Sequence, residues 1–387
     1  MASIPFTLAA LATSAVPGLE VTAVRAHDVD AGFAAALLST DRGDLVTRVP
    51  RTQAAEVRQS AEILGIAALT EGSRAVLPFA VPETLGMTRA GETRAVVSTM
   101  LPGARFDVED LTEDAALLTS IVEAIAAIHD LPLSVAQQGG LPVRSARDLR
   151  LQATRLVDRA AATRLLPGTV RAKWERVLES AELWDFAPTM VHGSLDANAL
   201  LVDDEQVIGV EGWSEFSVGD PADDLAWLLA AGPAILDAVV PRYGRQRSAG
   251  SLPALQARAQ LYHELGIARW LLHGVETHDQ TVIEDAIAMF DRFVDRIATS
   301  PPIAPAASAL DADEVEALLA ETPEVVDHLS DTAAYEALDE DRMFGVEPAF
   351  VEAPSGSSEE HVEAGPQSAE EISEQATVPI DEDDLPR

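Results

Sequence analysis

The sequence predicts an α+β fold of two lobes, in which a small antiparallel-sheet lobe precedes a larger helical lobe and a disordered acidic tail follows. Short β-like runs around one helical segment fill the first hundred residues, helical periodicity dominates from about 108 to 298, and the composition changes abruptly after Ser300. A chain of 387 residues is long enough for this arrangement. We therefore expect an N-terminal lobe at 1–100, a C-terminal lobe at 101–298 and a tail at 299–387.

The first 24 residues are largely apolar and resemble a signal peptide in their middle part. They have no basic residue before Arg25, whereas a signal peptide begins with a positively charged region. We predict instead a short amphipathic helix that ends at Pro17 and Gly18. Because the chain contains no cysteine, disulfides, thiolate zinc sites and cysteine nucleophiles are excluded, and a cytoplasmic location is expected.

Five short runs within residues 19–101 predict the strands of the N-terminal lobe. They read LEVTAV, FAAALLST, DLVTRVP, RAVLPFAVP and TRAVVSTML. Between the third and fourth runs, the pattern changes to that of a helix over residues 52–69. An antiparallel sheet accompanied by one helix is therefore expected for this lobe.

The predicted helix at 52–69 has an apolar stripe along one side. Val57, Ala61, Leu64 and Ala68 recur at spacings of three and four residues. Residues at these spacings lie on one face of a helix, so we expect this stripe to face inward.

The C-terminal lobe is predicted to follow STMLPGARF, residues 98–106, whose proline and glycine are typical of a connection between lobes. Helical periodicity then appears in five segments. They lie at 117–131, 146–166, 171–184, 254–278 and 281–298. LLVDD at 200–204 and VIGVE at 207–211 interrupt the helices and predict a small β-hairpin.

The net charge of −37 is concentrated in the tail. Residues 301–387 hold 24 Asp and Glu against two Arg, while the first 300 residues hold 40 acidic and 25 basic residues. An acidic surface repels the phosphate backbone of nucleic acids, which argues against a nucleic-acid partner. No apolar run approaches the roughly 20 residues that a membrane-spanning helix needs. We expect the tail to be disordered, and either to solvate the chain or to dock an unknown protein partner.

Three segments of the C-terminal lobe carry a resemblance to a known family. HGSLDANALLV at 192–202, VIGVEGW at 207–213 and VGDPADDLAWLL at 218–229 are similar to the HGDxxxxN, IDW and GDPxxDLA motifs of the aminoglycoside and macrolide phosphotransferases. IAAIHDLP at 125–132 and LVTRVPRT at 45–52 extend the resemblance, which covers about residues 5 to 298. It implies a protein-kinase-like fold. Each motif is weak alone, but their order and spacing together are specific.

Phosphoryl transfer needs a base for the acceptor hydroxyl and a metal that neutralises the phosphates. The resemblance implies an aspartate base in the first motif, an asparagine metal ligand five residues later, and an aspartate as main metal ligand before the tryptophan of the second motif. In this sequence those three positions hold Ser194, Ala199 and Gly212. A serine hydroxyl accepts no proton near neutral pH, and alanine and glycine offer no side-chain oxygen to magnesium.

Oxygen-bearing side chains lie one or two positions from these losses, at Asp196, Asn198 and Glu211. They leave open a rearranged site, with Asp196 as the base and Asn198 or Glu211 on the metal. In a strand, however, a shift of one residue turns the side chain to the opposite face. We therefore expect Glu211 to point away from the position of Gly212, and no metal to be held at this site.

Other positions match the family where its residues hold loops or the nucleotide. The resemblance implies that His192, Asp220 and Asp224 brace loops by hydrogen bonds. Arg48 stands where the family has a Lys or Arg that meets the nucleotide phosphates, with Glu62 as its candidate partner. Weak binding of ATP, with or without Mg²⁺, is one reading of this pair, and an ordinary surface ion pair is the other.

Two functions are compatible with this pattern. The first is a pseudokinase, an inactive relative of the phosphotransferases that acts as a binding or scaffolding module, with a nucleotide or small molecule in the groove between the lobes. The alternative is an active ATP-dependent phosphotransferase for small molecules of the aminoglycoside or macrolide type, with a rearranged metal site. A third hypothesis has the acidic tail covering the basic residues of the groove, Arg48 among them.

Overall fold

A computed structural model of the chain describes residues 4–27, 31–247 and 250–299. Every described residue belongs to one compact unit. The predicted acidic tail lies outside the described residues, apart from Thr299, which ends the last helix. Among the helices that the structure describes, none is long and apolar enough to cross a membrane.

The N-terminal lobe is built on a five-stranded antiparallel sheet, as predicted. Its strands are β1 (Val21–Ala26), β2 (Phe33–Thr40), β3 (Gly43–Pro50), β4 (Thr84–Ala90) and β5 (Thr93–Thr99), in the order β1-β2-β3-β5-β4. Strands β2 and β3 pair in continuous register, from Phe33 opposite Pro50 to Thr40 opposite Gly43, and β3 is the central strand of the sheet.

One predicted strand, RAVLPFAVP at 74–82, is wrong. The segment starts at the end of a short helix, α3 (Glu71–Ala75), and continues as an irregular loop, while the fourth strand begins at Thr84. Two prolines interrupt the pairing that a strand would need. The Arg74 guanidinium lies inside the loop instead and donates to the carbonyls of Leu69, Ile66, Val81 and Pro82.

An N-terminal helix, α1 (Ile4–Ala15), packs against the sheet, which confirms the helix predicted at this end. Its buried residues Leu8 and Ala12 lie with Leu38, Leu45 and Val97 in a small core of their own. Burial of apolar surface stabilises the lobe on the side of the sheet that α1 covers.

The helix predicted at 52–69 is α2 (Gln53–Ala68), and Thr52 caps it by accepting from the Ala55 amide at 3.2 Å. The predicted inward stripe is wrong, because Val57 is 64% exposed and Leu64 is 44% exposed. The helix buries a different face, which includes Gly65. A Cβ added to Gly65 would lie 2.1 Å from the carbonyl oxygen of Trp213. This close approach to the C-terminal lobe sets the rotation of α2, which periodicity alone does not reveal.

The C-terminal lobe is helical, as predicted, around one large apolar core. Its helices are α4 (Ala116–His129), α5 (Ser134–Gly139), α6 (Ala146–Ala162), α7 (Gly168–Glu179), α8 (Asp223–Ala226), α9 (Pro233–Gln246), α10 (Leu252–Thr277) and α11 (Gln280–Thr299). The five predicted helical segments correspond to α4, α6, α7, α10 and α11. The helices α5 and α9 were not predicted, and α9 contains Pro241, a residue that is unfavourable inside a helix.

Two short ladders bring the motif segments together beneath the sheet. The predicted hairpin is β7 (Leu200–Asp203) paired with β8 (Gln206–Val210), and β6 (Thr189–Val191) pairs with β9 (Ser217–Gly219). The connection between the lobes is fixed to the hairpin, because Ala104 and Val202 exchange backbone hydrogen bonds at 2.9 and 2.8 Å. The loop after β6 and the turn after β8 are therefore held side by side.

Candidate functional site

A groove between the sheet and the motif segments forms a cavity of about 570 Å³. Eight of the residues singled out in the sequence line it. They are Arg48, Glu62, Ser194, Asp196, Asn198, Ala199, Glu211 and Gly212. Three others, His192, Asp220 and Asp224, are buried behind it. The groove is therefore the place where the sequence motifs meet.

The wall formed by the N-terminal lobe carries two arginines around one aromatic ring. Arg48 on β3 donates from Nη2 to the Glu62 carboxylate on α2 at 2.9 Å. The guanidinium groups of Arg48 and Arg58 lie 5.7 and 5.1 Å from the centre of the Phe33 ring. Arg48 Nε is buried and has no hydrogen-bond partner among the described residues. A buried donor without a partner is costly, which favours an anionic ligand beside it.

The loop after β6 holds Ser194 at the floor of the groove. Gly193 precedes it with a φ of +80°, and a Cβ there would lie 2.6 Å from the Glu215 carbonyl oxygen, so the turn requires glycine. The Ser194 hydroxyl lies 3.2 Å from the carbonyl oxygen of Gly212 and 3.4 Å from His192 Nδ1. The hydroxyl therefore has one partner in its own loop and one in the turn after β8.

His192 is buried directly behind Ser194. Its Nε2 lies 2.9 Å from the Glu211 carbonyl oxygen, which can only accept, so Nε2 carries the hydrogen and Nδ1 does not. Burial lowers the pKa of His192, although the carboxylate of Asp224 partly opposes this effect. The ring is therefore neutral at pH 7 and ties the loop after β6 to the end of β8.

The first two candidate substitutes, Asp196 and Asn198, are turned toward their own loop. Asp196 Oδ1 accepts from the backbone amide of Ala199 at 2.8 Å, and Asn198 Nδ2 lies 3.5 Å from Asp196 Oδ2. Asp196 therefore closes the turn that leads into β7, a common role for a short acidic side chain.

The third candidate, Glu211, faces the groove, and the expectation that it points away is wrong. The strand β8 ends at Val210, so the alternation of side chains along a strand does not extend to Glu211. Its Oε2 lies 3.1 Å from Nη2 of Arg105, a residue of the connection between the lobes. Gly212 follows with φ +83° and ψ 39°, and an added Cβ would find its nearest neighbour, His192 Cε1, at 3.8 Å.

The residues present do not fit a magnesium ion. Among the described residues, no group of three or more His, Asp or Glu could hold a metal. Magnesium requires oxygen ligands in near-octahedral geometry. At the two motif positions for metal ligands, Ala199 and Gly212 have no side-chain oxygen, and the nearby carboxylates of Asp196 and Glu211 are engaged by a backbone amide and by Arg105.

The acids of the third motif form a buried brace. Asp224 accepts from the backbone amides of His192 and Gly193, each at 2.7 Å, and from His129 Nε2 at 3.1 Å. His129 Nδ1 lies 2.8 Å from the Tyr243 hydroxyl. Burial raises the pKa of Asp224, but the hydrogen bonds and charge of His129, with the other donors, outweigh it and leave the pKa below its ordinary value.

A second cavity, of about 390 Å³, lies on the other side of Gly193. Arg144 and Arg269 line it together with half-buried Asp223. Burial raises the pKa of Asp223 to about 7, with Arg269 opposing the shift. Sequence reasoning singled out neither Asp223 nor Arg105, because neither lies at a position that the motifs specify.

Comparison with known proteins identifies a family for this chain. The phosphotransferase enzyme family model (APH) matches residues 23–262, more than half of the chain. The chain therefore belongs to the APH phosphotransferase family. Among curated proteins, none matches significantly.

Solved structures of this family share the fold. A macrolide 2'-phosphotransferase type I is 24% identical with a TM-score of 0.61, over 74% of this chain and 96% of that one. A macrolide 2'-phosphotransferase from Brachybacterium faecium, solved as the apoenzyme, is 24% identical with a TM-score of 0.62, over 73% and 97%. The GDP and kanamycin complex of an APH(2'') enzyme is 18% identical with a TM-score of 0.63, over 75% and 99%. These similarities establish the protein-kinase-like fold.

Proposed function

We propose that this protein is a catalytically inactive member of the phosphotransferase family, a pseudokinase that acts as a binding or scaffolding module. One observation carries the proposal. The three positions that supply the base and both metal ligands in the family hold Ser194, Ala199 and Gly212, and all three line the same groove. The neighbouring Asp196 and Glu211 are engaged in other contacts.

The missing base removes one part of catalysis. Positioned general bases typically contribute about 10²- to 10⁴-fold to a reaction rate. Ser194 cannot take this role near neutral pH, and Asp196 already accepts from the backbone amide of Ala199 at 2.8 Å. An acceptor hydroxyl in the groove would keep its proton.

The missing metal ligands remove the other part. A bound metal contributes several kcal/mol by neutralising charge on the phosphates in the transition state. Neither Ala199 nor Gly212 supplies an oxygen, and Glu211 is paired with Arg105 at 3.1 Å. Terminal-phosphate transfer would therefore lack both of its main sources of stabilisation.

A nucleotide is the ligand class that we propose for the groove. Related structures contain GDP with kanamycin, and ATP with streptomycin. In this chain Arg48 is held by Glu62 through Nη2, and its unpaired Nε offers a donor for phosphate oxygens. Any phosphate that enters would be held mainly by arginine.

The alternative function is an active, ATP-dependent small-molecule phosphotransferase with a rearranged site. It is favoured by the finding that Asp196, Asn198 and Glu211 all line the groove. It would require Glu211 to leave Arg105, and Asp196 to leave the amide of Ala199. The inactive reading needs no such rearrangement.

Further parts of the proposal concern the tail and the location. The acidic composition of residues 301–387 supports a role in recruiting a protein partner. A cytoplasmic location is proposed from the absence of cysteine and from the family.

The proposed inactivity is tested by phosphoryl transfer from ATP labelled at its terminal phosphate, with Mg²⁺ and a panel of aminoglycosides and macrolides. We expect the wild-type protein, the Ser194→Ala variant and a heat-inactivated sample to give the same background. Transfer above this background by the wild type, abolished by Glu211→Ala, would establish the alternative. The Glu211→Ala variant, purified identically, also controls for contaminating kinases, because a contaminant would transfer phosphate equally in both samples.

A further inference from the structure

We propose that the groove binds a polyphosphate chain without a divalent cation, with Arg105 supplying the positive charge beside the two motif positions that lack metal ligands. This inference rests on the proposed function for the place where the phosphates bind. It goes beyond that function by naming the group that replaces the metal and the condition under which the ligand binds.

Arg105 belongs to the connection between the two lobes. The backbone bridge between Ala104 and Val202 fixes the connection between the lobes against the β7–β8 hairpin. From there Arg105 reaches Glu211, with Nη2 3.1 Å from Oε2. Arg105 therefore lies on the groove side of the hairpin, although 106 positions separate it from Glu211 in sequence.

The Arg105–Glu211 ion pair lies next to the two motif positions that lack metal ligands. The amide of Glu211 donates to the carbonyl oxygen of Ala199 at 2.8 Å, and Gly212 is the next residue. Both motif positions that lack a metal-ligating oxygen thus adjoin the residue that holds Arg105. A guanidinium is present where the donor set no longer fits a metal.

The opposite wall of the groove, formed by the N-terminal lobe, carries two further arginines. Arg48 and Arg58 flank Phe33 there, and Arg48 Nε is without a hydrogen-bond partner among the described residues. Guanidinium groups stay charged at every working pH and bind phosphate oxygens in pairs. Arginines on both walls offer N–H donors along a phosphate chain, and Arg48 and Arg105 are held in place by Glu62 and Glu211.

Magnesium in solution is then a competitor rather than a cofactor. It neutralises part of the charge on a polyphosphate before that polyphosphate meets the arginines. Glu211 is a competitor of a second kind, because its carboxylate occupies the same guanidinium that the phosphate needs. Binding should therefore be tighter in EDTA than in excess Mg²⁺, and Glu211→Gln should tighten it further.

The experiment is calorimetric titration of the full chain with ATP at low salt, in EDTA and in excess MgCl₂. We expect Arg105→Gln to weaken ATP binding in EDTA by about tenfold or more, and Arg105→Lys to retain part of it. The matched control is Arg89→Gln, because Arg89 is 80% exposed on β4 and pairs only loosely with Glu92 at 3.7 Å. This control should bind ATP as the wild type does.

Two further probes identify the part of the ligand that is recognised. Inorganic tripolyphosphate should compete with ATP in EDTA, whereas adenosine should not. If adenosine competes and tripolyphosphate does not, the phosphate chain is not the recognised group and the inference is overturned. Thermal melting of each variant beforehand shows whether it is folded. If Arg105→Gln is unfolded, the ATP affinity of Arg105→Lys is compared with that of the wild type instead.

Three other outcomes would overturn the inference. They are ATP binding that requires Mg²⁺, equal affinity of Arg105→Gln and wild type in EDTA, and no binding of ATP or tripolyphosphate in either condition. The last result would leave the proposed inactivity standing, because that proposal is judged by phosphoryl transfer alone. Observed transfer would refute the inactivity whatever the binding data show.

Discussion

Arg258 and Asp220 form a buried two-point ion pair, with Nε 2.6 Å from Oδ2 and Nη2 3.2 Å from Oδ1. The Tyr262 hydroxyl also donates to Asp220 Oδ2 at 3.2 Å. Asp220 is the first acid that the third motif specifies. The second, Asp224, likewise accepts hydrogen bonds from the protein. The motif acids that survive in this sequence therefore hold the scaffold of the groove.

The Asp220–Arg258 pair should be a major source of stability. Removing one partner leaves a buried charge uncompensated, which typically costs about 3–5 kcal/mol. We expect Asp220→Ala to lower the free energy of unfolding, measured by chemical denaturation, by an amount in this range. The exposed pair of Arg89 and Glu92 is the control, and Glu92→Ala should change stability by less than about 1 kcal/mol. A loss that small for Asp220→Ala would contradict the bracing role.

The contact between α2 and the C-terminal lobe should depend on one glycine. A Cβ at Gly65 would lie 2.1 Å from a backbone oxygen, so Gly65→Ala must displace the helix or the turn at Trp213. We expect a loss of about 1–3 kcal/mol in the free energy of unfolding.

The matched control for this glycine lies in α10. An added Cβ at Gly266 meets no heavy atom within 4 Å, and the residue is helical. Alanine there should stabilise the protein by roughly 0.5–1 kcal/mol, because alanine loses less conformational freedom than glycine in a helix. If both alanine variants had the same effect, the close contact at Gly65 would not be a determinant of the fold.

Asp223 should make stability fall as the pH rises. Burial raises its pKa to about 7, against an ordinary value of 3.8, so the folded protein keeps a proton that the unfolded chain has lost between these values. Stability from this group is therefore fully present below about pH 4 and lost as the pH rises through 7. Asp223→Asn should raise the melting temperature more at pH 8 than at pH 5. An equal shift at both values would show that the carboxyl has no raised pKa.

The lost positions can be refilled to test their importance. Ser194→Asp, Ala199→Asn and Gly212→Asp together restore the family pattern, and the nearest atom to a new Cβ at Gly212 is 3.8 Å away. The left-handed backbone at Gly212 is one that aspartate tolerates better than most residues. We expect the triple variant to gain Mg²⁺-dependent nucleotide binding, while each single variant does not. If nucleotide binding depended equally on Mg²⁺ in the wild type and the triple variant, these three positions would not determine the metal dependence.

The motif order in the sequence was sufficient to predict the fold and the place of the groove. Helix α2 shows what local patterns miss, since its buried face is set by the approach of Gly65 to Trp213, which are 148 positions apart. The ion pair of Arg105 and Glu211 was missed for the same reason, because the two residues are 106 positions apart. Contacts of this kind depend on how the lobes pack, and no single-sequence period records them.

The direction of Glu211 illustrates a second limit. Strand alternation predicted that its side chain would turn away, but β8 ends one residue earlier, at Val210. Strand boundaries inferred from sequence are uncertain by a few residues. At a site built from residues that flank short strands, an error of one position reverses the predicted direction of a side chain.

The central claim, that the groove has lost its metal site, is tested most directly by electron paramagnetic resonance of Mn²⁺ in the presence of the wild-type protein. We predict that the signal of free Mn²⁺ falls no more with the protein than with buffer, and that Asp196→Asn and Glu211→Gln behave in the same way. A saturable loss of free signal with the wild type, removed by either substitution, would contradict the claim and show that the substitute carboxylates hold a metal.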